Sequence, residues 1–189
     1  MARPMTVLPA QPVADVTSAL IDALSGASAL CVLPDAPAPS GRNWESVLHL
    51  DQPPPDEVAA LVATSGSTGR PHAVMLTAGA LLANAHAALR RLDGPGAWLL
   101  ALPASSVGGL QVLIRGQMAN LDPVCLDLTA GFRPDTFALA ALQMPVGLPH
   151  YTSLVPTQLS RLVNTGGVAL EALAGFDAVL IGGAPLDAA

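Results

Sequence analysis

Lysine is absent from this chain of 189 residues: all eight basic side chains are arginines. No ammonium side chain is therefore available to neutralise a bound phosphate. Aromatic residues make up only 3%, so the core is expected to be built from Leu, Val and Ala rather than from stacked rings. Charged residues are also scarce, at 12%, but with 51% apolar residues this scarcity excludes a disordered chain. The net charge of −6 argues against a general nucleic-acid binder, which carries a basic face. It leaves room for a nucleotide, whose phosphates backbone N–H groups can hold. Two cysteines, Cys31 and Cys125, are too few for a disulfide framework and lack CxxC spacing, so both are expected to be buried free thiols. His49, His86 and His150 have no ligand spacing, so no metal site is expected.

Long apolar runs are missing too. The opening "MARPMTVLPAQPVADV" has no continuous apolar segment of the signal-peptide type. Residues 94–114 carry no charge, but Gly, Pro and a Ser pair interrupt them, which speaks against a membrane span. The chain reads as soluble and cytoplasmic, with no membrane or nucleic-acid partner.

What is present is an alternation. "DVTSALIDALSG" has apolar residues at helical spacing and a stop at Gly26. "ALCVL" reads as a strand. Breaker-rich stretches at 34–41 and 51–57 follow, and a boundary is placed near Pro55. Residues 1–57 then form a helix, a strand and a Pro-rich linker, too small to fold alone, ahead of a main domain at 58–189. From "AALVA" onward, short apolar strands ("AWLLALP", "PVCLDL", "YTSLV", "DAVLIGG") alternate with helices. Thr77 is placed to cap one helix, and Pro134 to open another. This pattern predicts an α/β fold with a mostly parallel sheet covered by helices on both faces. Ligands of such sheets sit outside the carboxyl ends of the strands, which singles out the loops 64–72, 103–109, 153–157 and 182–187.

The first of these loops contains "TSGSTGRPH". Thr64, Ser65, Ser67 and Thr68 supply hydroxyls, while Gly66 and Gly69 permit close backbone approach. Consecutive N–H groups in such a bend form a concavity suited to phosphate oxygens. GxxxxGK[ST] is not matched, so it is not a Walker loop. The same composition also suits a polar surface turn, and position after a buried strand balances the two readings. Ser105 and Ser106 lack the GxSxG surroundings of a nucleophile.

"TSGSTGRPHAVMLT" resembles the phosphate loop of the adenylate-forming enzymes, the acyl- and aryl-CoA ligases. "GPGAWLLALP", "SSVGGLQVLIRG", "YTSLVPTQL" and "AVLIGGAP" follow in the order that superfamily shows. Within it, these segments are most similar to the o-succinylbenzoate–CoA ligases of menaquinone biosynthesis, over residues 58–187. The resemblance implies that Thr64, Ser65, Gly66, Ser67, Thr68 and Gly69 clasp the phosphates of ATP. It implies that Gly182, Gly183, Ala184 and Pro185 line the adenine side, and that Ser106 and Gly109 border the acyl site. Arg115 would attract a free carboxylate of the substrate, directly or through water; spacing alone favours an ordinary solvated helix residue. The implied reaction adenylates a carboxylate with Mg2+ and ATP, then transfers the acyl group to coenzyme A. His72 stands where the family has a lysine in this loop, and as a residue it also suits a turn facing water. Ser106 stands where the family has a histidine. The family's catalytic Lys belongs to a C-terminal region that follows "GGAP", so these 189 residues are expected to be nearly inactive without a complementary C-terminal polypeptide. Two other readings stay open: a ligase or adenylation domain for a different acid, and a non-catalytic remnant that binds nucleotide or a protein.

Overall fold

The computed structural model describes residues 3–38, 42–64 and 71–185, and the chain divides into two compact units. The first comprises Met1–Asn84 with Ala104–Leu110; the second comprises Ala85–Pro103 with Gln111–Ala189. Pro55 lies inside the first unit.

In the first unit, β1 (Met5–Pro9) is followed by α1 (Val13–Ser25), β2 (Ala29–Leu33), the short α2 (Trp44–Val47), β3 (Val58–Thr64) and β4 (His72–Thr77). The sheet order is β1-β2-β3-β4. β1, β2 and β3 are parallel, whereas β4 runs antiparallel to β3 as a hairpin partner. Helix α1 ends where the sequence predicts, at Gly26. β1 was not legible in "MTVLP", because its flanking prolines read as loop punctuation. Arg3 anchors this strand: its guanidinium donates to the carbonyls of Ala23 (2.6 Å), Asp56 (3.0 Å) and Val58 (3.0 Å). One cation thereby ties the chain start to the end of α1 and the start of β3. Beneath the sheet, Ala29, Cys31, Val47, Leu48, Val58 and Leu61 form an apolar core.

α3 (Ala78–Arg91) begins at Thr77, whose hydroxyl accepts the N–H of Ala80 at 3.1 Å, the cap expected from sequence. The second unit then holds β5 (Ala97–Leu100), α4 (Val107–Met118) from Gln111 onward, β6 (Val124–Cys125), α5 (Pro134–Ala141), β7 (His150–Leu154), α6 (Pro156–Thr165), α7 (Gly167–Ala174) and β8 (Ala178–Ile181). All four strands are parallel, in the order β6-β5-β7-β8. The single sheet suggested by sequence is thus two four-stranded sheets, one mixed and one wholly parallel. α7 was missed because "GGVALEALAG" opens and closes on glycine and carries no cap residue.

Close packing in the second unit depends on Gly96. A Cβ there would lie 2.5 Å from both the Pro149 carbonyl oxygen and Tyr151 Cε2, nearer than any side chain tolerates. The free space lets the Ala97 N–H reach the same carbonyl at 2.8 Å and start the β5–β7 ladder. Below the sheet, Leu99, Phe137, Leu154, Leu162 and Ala169 join strands to α5, α6 and α7.

The two thiols differ. Cys31 is buried, and burial, with Glu45 nearby, pushes its pKa to about 11. Cys125, expected in the interior, is exposed, because β6 is a two-residue edge strand with little sheet to cover it.

Arg3→Ala should lower the urea midpoint by an amount equivalent to about 2 kcal/mol, since hydrogen bonds from a charged donor contribute about 1.5–3 kcal/mol; an unchanged midpoint would show the clamp to be idle. A disulfide reagent at neutral pH should titrate one thiol, Cys125, in the native chain and the second only in denaturant, because the reactive species is the thiolate. Two thiols reacting at the same rate natively would displace Cys31 from the core.

Candidate functional site

The order of the parallel sheet reverses direction at its centre. From β5 the chain moves outward to β6, then returns across β5 to place β7 and β8 on the other side. Two consequences follow from right-handed crossovers. α4 covers one face, where Arg115 lies over Trp98, while α5, α6 and α7 cover the opposite face with Leu99 and Leu154. Adjacent β5 and β7 therefore send their chains to opposite sides, which opens a crevice at their carboxyl ends, the usual ligand position in such sheets.

Three hydrogen bonds hold the lips of this crevice together. Thr152 Oγ1 donates to the Leu99 carbonyl at 3.0 Å. Gln158 Nε2 donates to the Ala101 carbonyl at 2.8 Å, and its Oε1 accepts the Val155 N–H at 2.9 Å. One buried amide thus links the end of β5 to the turn that opens α6.

The α4 face of the strands carries polar chemistry. Trp98 and Tyr151 are register partners, with ring centroids 5.3 Å apart. The Arg115 guanidinium stands 5.1 Å from the Trp98 ring centroid, within cation–π range. Ser153, two residues beyond Tyr151 on the same strand face, lies about 7 Å further toward the crevice. Trp98 is 1% exposed, Arg115 5% and Ser153 6%. Arg115 is therefore not the solvated residue that its spacing permitted. Burial lowers its pKa from the ordinary arginine value, yet a guanidinium still keeps its charge in neutral water. Trp98 Nε1 and Ser153 Oγ are fully buried with no hydrogen-bond partner among the described residues. Buried polar atoms are almost always partnered, so these two stand out on this face. Sequence reasoning passed over Trp98, and reached Ser153 only as the first residue of the singled-out loop 153–157. The available signal was a hydroxyl inside the apolar run "YTSLV", at the end of a strand whose other neighbours are buried.

The "GGAP" turn belongs to the same lip. Gly182 N–H donates to the Leu154 carbonyl at 3.2 Å, continuing the ladder one step past β8. Gly183 has φ 85°, and a Cβ there would sit 3.2 Å from Val155 Cγ1. Any L side chain at this position would be both strained and crowded. Ala184 and Pro185 follow, exposed.

In the first unit, Thr64 ends β3 and pairs with His72 across the β3–β4 hairpin; Thr64 Oγ1 is 3.4 Å from His72 Nε2. Ser65, Gly66, Ser67, Thr68 and Gly69 lie outside the described residues. His72, read from sequence as part of the loop, is exposed on β4 instead. The Ser106 hydroxyl accepts the Gly109 N–H at 3.0 Å and its carbonyl accepts the Leu110 N–H at 3.0 Å, so Ser106 caps α4. Gly109 is buried. Among the described residues no three His, Cys, Asp or Glu side chains converge as metal ligands, and no helix is long and apolar enough to cross a membrane.

The probable 2-succinylbenzoate–CoA ligase of Mycobacterium tuberculosis is 49% identical over 130 residues, which is 69% of this chain and 33% of the relative. The 2-succinylbenzoate–CoA ligase of Escherichia coli is 38% identical over 136 residues, covering 70% of this chain and 26% of the relative. The chain thus spans about a third, or less, of the curated relatives it matches. Among solved structures, the o-succinylbenzoate coenzyme A synthetase of Bacillus subtilis in complex with ATP and magnesium shares the fold with a TM-score of 0.70 at 17% identity, covering 97% of this chain and 45% of that one. A malonyl-CoA ligase ternary product complex does so with a TM-score of 0.65 at 20% identity, covering 96% and 47%. The sequence profile described as "AMP-binding enzyme" matches residues 6–189, and the chain belongs to that family.

Proposed function

We propose that this chain supplies the nucleotide-binding and acid-binding part of a 2-succinylbenzoate–CoA ligase. The observation that carries the reading is the buried Arg115 stacked on Trp98, with the unpartnered Ser153 hydroxyl and Trp98 N–H on the same sheet face. A guanidinium in a dry, aromatic-walled setting is suited to a carboxylate, and a desolvated pair of that kind is far stronger than one at the surface. 2-Succinylbenzoate has two carboxylates. The one on the ring would be drawn to Arg115, directly or through a water held by Ser153. That leaves the succinyl carboxylate free to attack the α-phosphorus of ATP. Pyrophosphate leaves, and the thiol of coenzyme A later displaces AMP to form the thioester.

In this reading Thr64, Ser65, Gly66, Ser67, Thr68 and Gly69 hold the phosphates through N–H and hydroxyl donors, as the family motif implies. Gly182, Gly183, Ala184 and Pro185 offer a flat, side-chain-poor edge to the adenine. Ser106 and Gly109, which fix the start of α4, border the acyl group. The described residues present no cluster of ligands for Mg2+, so the ion would be carried mainly by the triphosphate, which is its usual mode of binding. Chemistry in the isolated chain should be very slow, since losing one charge-stabilising contact at a transition state costs about a hundred- to a thousand-fold. A complementary C-terminal polypeptide would supply the lysine that the 189 residues lack.

Calorimetry on the isolated chain should show weak ATP binding, and Gly66→Val should abolish it; no heat at millimolar ATP in the unaltered chain would remove the nucleotide site. 2-Succinylbenzoate should bind more tightly than a monocarboxylate of the same size. Arg115→Ala should erase that difference, a loss of about ten- to a hundred-fold, in line with a charged hydrogen bond in a buried setting. Ser153→Ala should lose a smaller part of it. Equal affinity for both acids would overturn the assignment. Adding the C-terminal two thirds of the mycobacterial relative in trans should yield thioester from 2-succinylbenzoate; turnover only with other acids would redirect the substrate class.

A further inference from the structure

Helix α6 opens on Val155, an N-cap in extended conformation, with Pro156 at the first helical position. Gln158 is the third residue of the helix, and its Oε1 accepts the Val155 N–H at 2.9 Å. That is the ordinary task of a Glu or Gln three residues after a cap, and acid and amide perform it alike. The other end of the side chain does what a carboxylate cannot. Nε2 donates to the Ala101 carbonyl at 2.8 Å, just past the end of β5. Gln158 is 7% exposed and Ala101 fully buried, so a lost bond here is poorly replaced by water. The contact with β5, rather than helix capping, accounts for an amide at this position.

Val155 in turn meets the "GGAP" turn. Its Cγ1 lies 3.2 Å from where a Gly183 Cβ would stand. The carbonyl of Leu154, one residue earlier, accepts the Gly182 N–H at 3.2 Å. Gly182 and Gly183 are exposed, and these two contacts fasten them to the end of β7.

We infer that Gln158 is a positioning residue for the nucleotide edge: by fixing Val155 against the end of β5, it sets where Gly182 and Gly183 stand. This rests on the reading of "GGAP" as the adenine side. Gln158 acts through one main-chain N–H and one aliphatic contact. Both partners of its amide are main-chain groups, so the bridge itself contains no titratable group. A glutamate at this position would add one. Ionised, it sets a negative oxygen against the Ala101 carbonyl and the bridge opens. Protonated, it donates its O–H to Ala101, still accepts from Val155, and the bridge closes again. Burial and the facing carbonyl both favour the neutral form, so that carboxyl titrates above the ordinary glutamate range. The defect is therefore present at high pH and is lost as pH falls.

The test compares the full 189-residue chain with Gln158→Glu between about pH 8 and about pH 6, above and below a raised carboxyl pKa. Calorimetry should show ATP bound about ten-fold more weakly by Gln158→Glu at the higher pH, as expected for a broken buried hydrogen bond. The ratio to the unaltered chain at the same pH should approach one at the lower pH. Gln158→Leu, which cannot be rescued by a proton, should be weaker by a similar factor throughout, with an unchanged circular dichroism spectrum. It carries the test if the Glu variant unfolds at the higher pH. In ligand-free NMR spectra the Gly182 amide signal, which Gln158 does not touch, should move with pH in Gln158→Glu well beyond its movement in the unaltered chain. ATP affinity indifferent to both substitutions would overturn the inference, as would a Glu variant whose deficit ignores pH or a Gly182 signal that stays in place. No ATP heat from the unaltered chain would remove the nucleotide site and this role with it. ATP heat that both substitutions leave intact would remove the role of Gln158 alone.

Discussion

Parallel pairing of β5 with β7 is the constraint on which the second unit rests. It requires Gly96, because only a residue without a side chain lets Pro149 and Tyr151 come so near. Once that approach is made, Ala97 enters the ladder, Trp98 meets Tyr151 and Thr152 reaches the Leu99 carbonyl. The crevice is then a product of connectivity: neighbouring strands whose chains depart to opposite faces cannot close their shared end. The enclosed Ser153 hydroxyl and Trp98 N–H lie on the strand face beside that end, without any special local fold.

Much of this was readable from residue order. The alternation of short apolar runs with helices gave the α/β class, Thr77 and Gly26 gave helix ends, and "GGAP" pointed to a turn whose second glycine has positive φ. Each of these depends on local chemistry that acts within a few residues. What stayed hidden depends on distant partners. "MTVLP" becomes a strand only because β2 offers it an edge and Arg3 fastens its start to Asp56 and Val58. The reversal of β4 against β3, and the division into two sheets, likewise follow from pairings that periodicity does not encode.

The candidate site shows the same division. Arg115 was singled out by resemblance, but its burial against Trp98 comes from β5 lying under α4, which no spacing rule reveals. Ser153 falls in the segment 153–157 that strand order singles out, but it stands on β7 and its own weight appears only once its oxygen is found enclosed and unpartnered. Cys125 erred the other way. A thiol in "PVCLDL" looks interior, yet the strand shrinks to two residues at a sheet margin.

Gln158 uses both ends of its amide, donating to Ala101 and accepting from Val155, so its orientation is fixed by its surroundings. Deamidation to glutamate would preserve its outline while turning the donor into an anion that faces a carbonyl oxygen. The two rims of the cleft would then be driven apart by a change of a single atom. Slow hydrolytic ageing at this position would loosen the join between β5 and the start of α6, and the enclosure of the amide is what shields it from that fate.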